Sequence, residues 1–216
     1  ISKLRGFNIM NNLQQVHITQ SKGKKNKLDS INSINTNTLT NEFCVAMNKA
    51  DKGNICEDCY SVSMLKGYRK TMVPALQRNS DLLSAAILTE WQLPRILDAV
   101  FRFSGQGELI NDIHFENLCL IAEYNPHCTF TLWTKRATIV NKAFKKREKP
   151  SNLILVFSNS KIGHIMAKPP THFDKTFNNV KGDDKLELQN CTGQQCKNCL
   201  TCYQHNDIKT IVERVK

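Results

Sequence analysis

Seven of the chain's nine cysteines fall into two groups with the spacing of metal ligands. Cys44, Cys56 and Cys59 form the first group, the last two as a C-x2-C pair. Cys191, Cys196, Cys199 and Cys202 form the second, in the run C-x4-C-x2-C-x2-C. Four thiolates close the coordination shell of a metal centre. Three leave one position open, where a substrate or a cofactor can bind.

The second run overlaps two iron–sulfur spacings, C-x2-C-x2-C and C-x4-C-x2-C, and four sulfurs from one short segment complete a [4Fe–4S] shell. Zinc is the alternative, although zinc ribbons bring their thiolates as two separated C-x2-C pairs. Two other readings stay open for the first group. Cys56 and Cys59 could share one zinc ribbon with two of the C-terminal cysteines, which strands the remaining three, or Cys44 could be a buried apolar thiol. Cys119 and Cys128 are expected in the core, one on the apolar face of a helix and one opening a strand. Disulfides are the competing use of so many cysteines, but disulfide-dense chains are usually small and secreted.

A chain of 216 residues, 40% hydrophobic and 23% charged, is long enough to bury a core without a metal to hold it together. No apolar run reaches membrane-spanning length, and no basic-then-apolar secretory segment opens the chain. The expected location is the cytoplasm. The formal net charge is +11. Local basic runs lie at Lys22, Lys24, Lys25 and Lys27, and at Lys142, Lys145, Lys146 and Arg147. They read first as solvated faces that also offset cluster charge, and second as a surface for nucleic acid or a host protein.

The elements that must position these residues are read from apolar periodicity. Residues 1–26 read as an irregular N-terminal segment, 27–185 as an α/β domain and 186–216 as a cysteine-rich cluster-binding segment. A strand is expected within 27–34, and a loop from Cys44 to Cys59. A helical region follows from Tyr60 to Val100, interrupted at Pro74 and Pro94, with Leu82, Leu83, Ala86, Ile87 and Trp91 at helical spacing. Strands are predicted at 101–104, 129–134, 153–158 and 176–180, and helices at 111–125, 137–147 and 207–216. Alternating strands and helices with short connections imply a parallel sheet.

In such sheets, ligands bind beyond the carboxyl ends of the strands. Those ends carry the turn Ser104-Gly105-Gln106-Gly107-Glu108, the run Thr134-Lys135-Arg136, and Ser158-Asn159-Ser160. Gly105, Gly107, Glu108, Thr134 and Ser158 are therefore the candidate cofactor-binding residues. The sequence assigns no catalytic residue.

A three-cysteine loop, a helical region, a strand and then a glycine-rich turn ending in glutamate: this order resembles radical S-adenosylmethionine (SAM) enzymes. The resemblance implies a parallel β/α partial barrel. It implies a [4Fe–4S] cluster on Cys44, Cys56 and Cys59 whose open iron binds SAM, help from Gly105, Gly107 and Glu108 in holding the SAM amino group, and an auxiliary cluster on the C-terminal cysteines. This chain departs from the superfamily loop C-x3-C-x2-C, having eleven residues in the first gap. Over residues 27–216 the chain is similar to the bacteriophage gene-product-eighty-eight-like family. The residues that carry this are Asn41-Glu42-Phe43-Cys44, Cys56-x2-Cys59-Tyr60, Tyr68, Gln77-Arg78-Asn79, Arg102-Phe103-Ser104-Gly105, Phe130-x2-Trp133-Thr134-Lys135 and Cys202-Tyr203. That resemblance implies a phage protein in the host cytoplasm and supplies no reaction.

Overall fold

Runs of β-branched and aromatic residues at 100–103, 129–134 and 153–158 pair side by side, as fully buried parallel strands do. The structure is a computed structural model that describes residues 15–23, 27–50, 52–182 and 185–215. A seven-stranded sheet runs in chain order: β1 (Ile18–Thr19), β2 (Ser33–Ile34), β3 (Val100–Phe103), β4 (Thr129–Thr134), β5 (Leu153–Ser158), β6 (Lys175–Val180) and β7 (Thr210–Arg214). Strands β2 to β7 are mutually parallel, and β1 lies antiparallel on β2. The carboxyl ends of β2 to β7 therefore share one edge. Helices α1 (Glu42–Lys49), α2 (Tyr60–Lys66) and α3 (Val73–Ala85) lie between β2 and β3. Helix α4 (Asp112–Tyr124) joins β3 to β4, α5 (Ala137–Ala143) joins β4 to β5, and the short α6 (Cys196–Cys199) precedes β7.

Register divides the sheet into two chemically different faces. Phe101, Phe103, Phe130, Leu132, Leu153 and Leu155 point to the side covered by α3 and α4 and form the main core with Leu83, Phe115, Leu118 and Ile121. Cys119 and Cys128 are fully buried in that core, as expected. The opposite face presents Arg102, Thr131, Trp133, Ile154 and Val156. There the turn Thr201–Tyr203 packs against β4 and β5. The cysteine-rich segment thus covers one face of the sheet and then supplies its last strand.

Several expectations are corrected. The segment read as irregular before residue 27 contributes β1, while Lys24 and Lys25 lie outside the described residues. Cys44 does not sit in a loop but in α1, where the Asn41 side chain caps the helix by accepting the Cys44 N–H at 3.1 Å. The helical region does not continue to Val100. Asn117, on α4, ends α3 by donating to the carbonyls of Leu83 (2.9 Å) and Ala86 (2.8 Å) and accepting from Leu88 N–H (2.8 Å). Ile87 and Trp91 are consequently exposed rather than on an apolar helix face. The C-terminal segment is not a helix: Thr210, Ile211 and Val212 extend along β6, where strand pairing satisfies their backbone.

Candidate functional site

The three-cysteine segment lies across the shared carboxyl edge of the strands. Ile55 N–H donates to Ser160 O (2.8 Å) and Ile162 N–H to Gly53 O (3.0 Å), tying the loop before Cys56 to the chain beyond β5. Asn48 donates to the carbonyls of Cys56 (2.7 Å) and Glu57 (2.9 Å), fixing the loop to α1. Cys59 is the N-cap residue of α2, and Tyr60 Oη donates to Gly105 O at 2.6 Å. Cys44, Cys56 and Cys59 are thereby brought together, although eleven residues separate the first two.

Their electrostatics show the proximity. Burial pushes the Cys44 thiol up to about 12, with Glu108, Cys59 and Cys56 acting in the same direction and Lys135 against them. Burial also raises Cys56, opposed by Lys135 and reinforced by Cys59 and Glu108. A bound cation would reverse this balance, because metal coordination favours the thiolate.

The residues predicted at the strand ends meet beside these cysteines. Glu108 is buried, and its Oε1 accepts from Thr134 Oγ1 (2.5 Å) and Leu109 N–H (2.8 Å), its Oε2 from Lys135 N–H (2.8 Å). Lys135 Nζ donates to Ser158 Oγ at 3.0 Å. Glu108, Thr134 and Ser158 are thus linked in one network through Lys135. The glycines serve close packing within the chain. Gly107 has φ +78°, and a Cβ there would lie 2.1 Å from Thr36 Oγ1 and 2.7 Å from Thr36 O. A Cβ on Gly105 would lie 2.9 Å from Asn35 Oδ1 and 3.6 Å from Arg102 Nε. The turn is held by Gln106 N–H on Asn35 Oδ1 (2.9 Å), Gly107 N–H on Thr38 Oγ1 (2.9 Å), and Asn41 Nδ2 on Glu108 O (2.9 Å).

The four C-terminal cysteines gather on the other face of the sheet. Cys191 pairs as an isolated bridge with Glu213 of β7. Cys196 and Cys199 bound α6, and Cys202 lies in the following turn, where its carbonyl accepts from Thr131 Oγ1 at 3.2 Å. Burial pushes Cys202 up to about 12, reinforced by Cys196 and Cys191 and opposed by Arg102. Cys196 is raised by burial against the pull of Lys27 and Arg102. Cys199 is lowered: hydrogen bonds from Thr201 and Gln194 outweigh its burial. Lys27 Nζ lies 3.1 Å from Cys191 Sγ and also pairs with Glu213.

Among the described residues, no group of three or more His, Cys, Asp or Glu side chains is placed so that it could hold a metal ion. By donor type the residues suit a soft metal: the cysteines of both groups are half-buried thiols, with Lys135 beside the first group and Lys27 and Arg102 beside the second.

Lys135 lies in the strand-end run Thr134-Lys135-Arg136, whereas Arg102 and Asn35 fall outside the strand-end candidates. The signal for Arg102 is a charged residue alternating with Phe101 and Phe103 in an otherwise buried strand. The second basic run is partly neutralised, since Lys142 pairs with Asp112 and Arg147 with Glu116 and Glu123. No helix among the described residues is long and apolar enough to cross a membrane. A family model described as Gene product 88 matches residues 10–205. Comparison with curated proteins and with solved structures gave no match.

Proposed function

The chain belongs to the Gene product 88 family, and we propose that it is an iron–sulfur protein organised as a radical-SAM-like partial barrel. In this reading Cys44, Cys56 and Cys59 hold a [4Fe–4S] cluster with an open iron, and Cys191, Cys196, Cys199 and Cys202 hold a second cluster. The observation that carries it is the convergence of Cys44, Cys56 and Cys59 at the carboxyl edge of sequentially ordered parallel strands, beside Glu108 and Lys135. Ligand sites of parallel α/β proteins lie at that edge.

When bound, the open-site cluster with SAM would supply one-electron chemistry on a substrate not yet identified. The chain's own contribution is positioning. Glu108 and Thr134 fix the mouth of the site, Lys135 offers a cation toward it, and Tyr60 ties the cysteine loop to the glycine turn. As a phage-family protein it would work in the host cytoplasm.

A second reading is a phage accessory protein whose metals, zinc included, only staple the fold and whose basic surface binds host protein or nucleic acid. Two observations favour it: Asn35 and Thr36 fill the space beside the glycine turn, and the four-cysteine segment joins β4 to β7.

The deciding experiment is iron, sulfide and zinc analysis with visible spectroscopy on protein purified without oxygen. Two four-iron clusters give about eight irons and eight sulfides per chain, and Cys56→Ala should remove about half of each. Roughly four irons in the wild type would reject one site, and zinc without iron would reject the radical reading.

A further inference from the structure

Arg102 is a buried cation between the glycine turn and the four-cysteine segment. It projects from β3 on the face that carries Thr131 and Trp133, and its guanidinium lies over the Trp133 ring, 4.1 Å from the centroid. Trp133 in turn packs against Tyr203 with ring centroids 5.5 Å apart. Thr131, the register neighbour of Arg102 on β4, holds the carbonyl of Cys202. On its other side, Arg102 Nε approaches Gly105, whose carbonyl accepts from Tyr60, the residue after Cys59. The side chain therefore spans from the glycine turn to the four-cysteine segment.

This placement is costly unless something acidic or sulfur-rich completes it. Arg102 Nε is buried with no hydrogen-bond partner, while the Tyr203 hydroxyl lies beside the guanidinium. A buried N–H without an acceptor loses its hydration without compensation. No carboxylate meets the guanidinium by ion-pair distance among the described residues. The hydroxyl and thiol groups that face it are those of Tyr203, Tyr60, Cys196 and Cys202. Lys27 brings a second cation to the same thiols through Cys191, sharing it with Glu213.

We propose that Arg102 is the charge-balancing and positioning residue of the four-cysteine site: its guanidinium, held over Trp133, offsets the charge of an anionic metal–thiolate centre held there, with Lys27 as the second counter-charge. The inference rests on the reading that Cys191, Cys196, Cys199 and Cys202 hold a metal centre. Net charge and hydrogen bonds to sulfur set the potential of such centres, and groups outside the ligand shell typically govern metal affinity by 10–100-fold.

The test uses the full chain carrying Cys56→Ala, reconstituted without oxygen with ferrous iron and sulfide, so that only the four-cysteine site should load. Arg102→Met should retain iron against a chelator at least roughly tenfold less well. Its remaining cluster should have a more negative midpoint potential, because removing a positive charge disfavours the more anionic reduced state. Arg102→Lys should recover retention but not the full potential. Lys27→Gln, at a more exposed position, should shift both in the same direction by less. If the Cys56→Ala protein loads no metal at all, the underlying site assignment fails. If it loads, and Arg102→Met matches it in retention and potential, the role of Arg102 is overturned. If Arg102→Met does not fold by circular dichroism, Lys27→Gln decides, and an unchanged potential there overturns the proposal.

Discussion

Thr134 donates its hydroxyl to Glu108 at 2.5 Å, joining the carboxyl end of β4 to the turn that follows β3. Two backbone N–H groups, of Leu109 and Lys135, complete the carboxylate's partners. Glu108 is thus a buried acid satisfied by three donors, and removing it leaves all three without an acceptor. Glu108→Ala should destabilise the fold by about 3 kcal/mol, from lost hydrogen bonds to a charged group and unsatisfied donors. Glu108→Gln, which keeps one accepting oxygen, should cost less. Urea denaturation of the metal-free protein measures both, and equal midpoints for wild type and Glu108→Ala would refute the network.

Gly107 gives a second stability prediction. Its positive φ and the nearness of Thr36 act together, because an added Cβ meets a backbone oxygen as well as a side chain. Gly107→Ala should cost about 3 kcal/mol or more through backbone strain and overpacking. Adding Thr36→Ala removes the Oγ1 clash at 2.1 Å but not the carbonyl clash at 2.7 Å. The double variant should therefore recover only part of the loss in thermal unfolding. Full recovery would place the strain in the Thr36 side chain alone.

How much of this was legible depends on whether the governing contacts are local. β5 is a continuous apolar run, β4 interleaves threonines with Phe130, Leu132 and Trp133, and α4 carries its own Asn111 cap and its Asn125-Pro126 stop, so composition and punctuation locate them. The cysteine groups stand out for the same reason, since most ligand spacings are short. Contacts across long separations were not legible. The end of α3 is set by Asn117, 34 residues beyond Leu83. The fit of the glycine turn depends on Asn35, 71 residues before Gln106. β7 carries Glu213 and Arg214 beside Ile211 and Val212, a pattern compatible with a short helix until β6 is known to lie beside it. The cap at Asn41 was a local signal for α1 that polar composition between Cys44 and Cys59 obscured.

His114 makes stability depend on pH. It is buried on α4, and its Nδ1 accepts from Ile110 N–H at 3.1 Å, which requires that nitrogen to be unprotonated. Burial lowers its pKa from 6.5 to about 3. A base with a depressed folded-state pKa binds its proton more readily when unfolded. Its contribution is therefore fully present above 6.5 and is lost as pH falls from there toward about 3. In this window the slope should approach about 1.4 kcal/mol per pH unit. His114→Gln should flatten it. Unfolding free energies between pH 6.5 and about 5, above most carboxylate titration, isolate the effect. Parallel slopes for wild type and variant would show that His114 is not responsible.

Trp133 offers an optical report on the four-cysteine site. The chain has two tryptophans, and Trp91 is 79% exposed, far from the character of Trp133 packed between Arg102 and Tyr203. Trp91→Phe therefore leaves a single emitter one residue contact away from Cys202. An iron–sulfur cluster absorbs across the emission range and accepts excitation energy at such short distance, whereas zinc, with a filled d shell, does neither. Reconstitution of Trp91→Phe with iron and sulfide should quench most of the Trp133 emission, and zinc should leave most of it. Cys202→Ser should abolish the iron-dependent loss while Cys56→Ala preserves it. Quenching that follows Cys56 instead of Cys202 would assign the loaded cluster to the three-cysteine group.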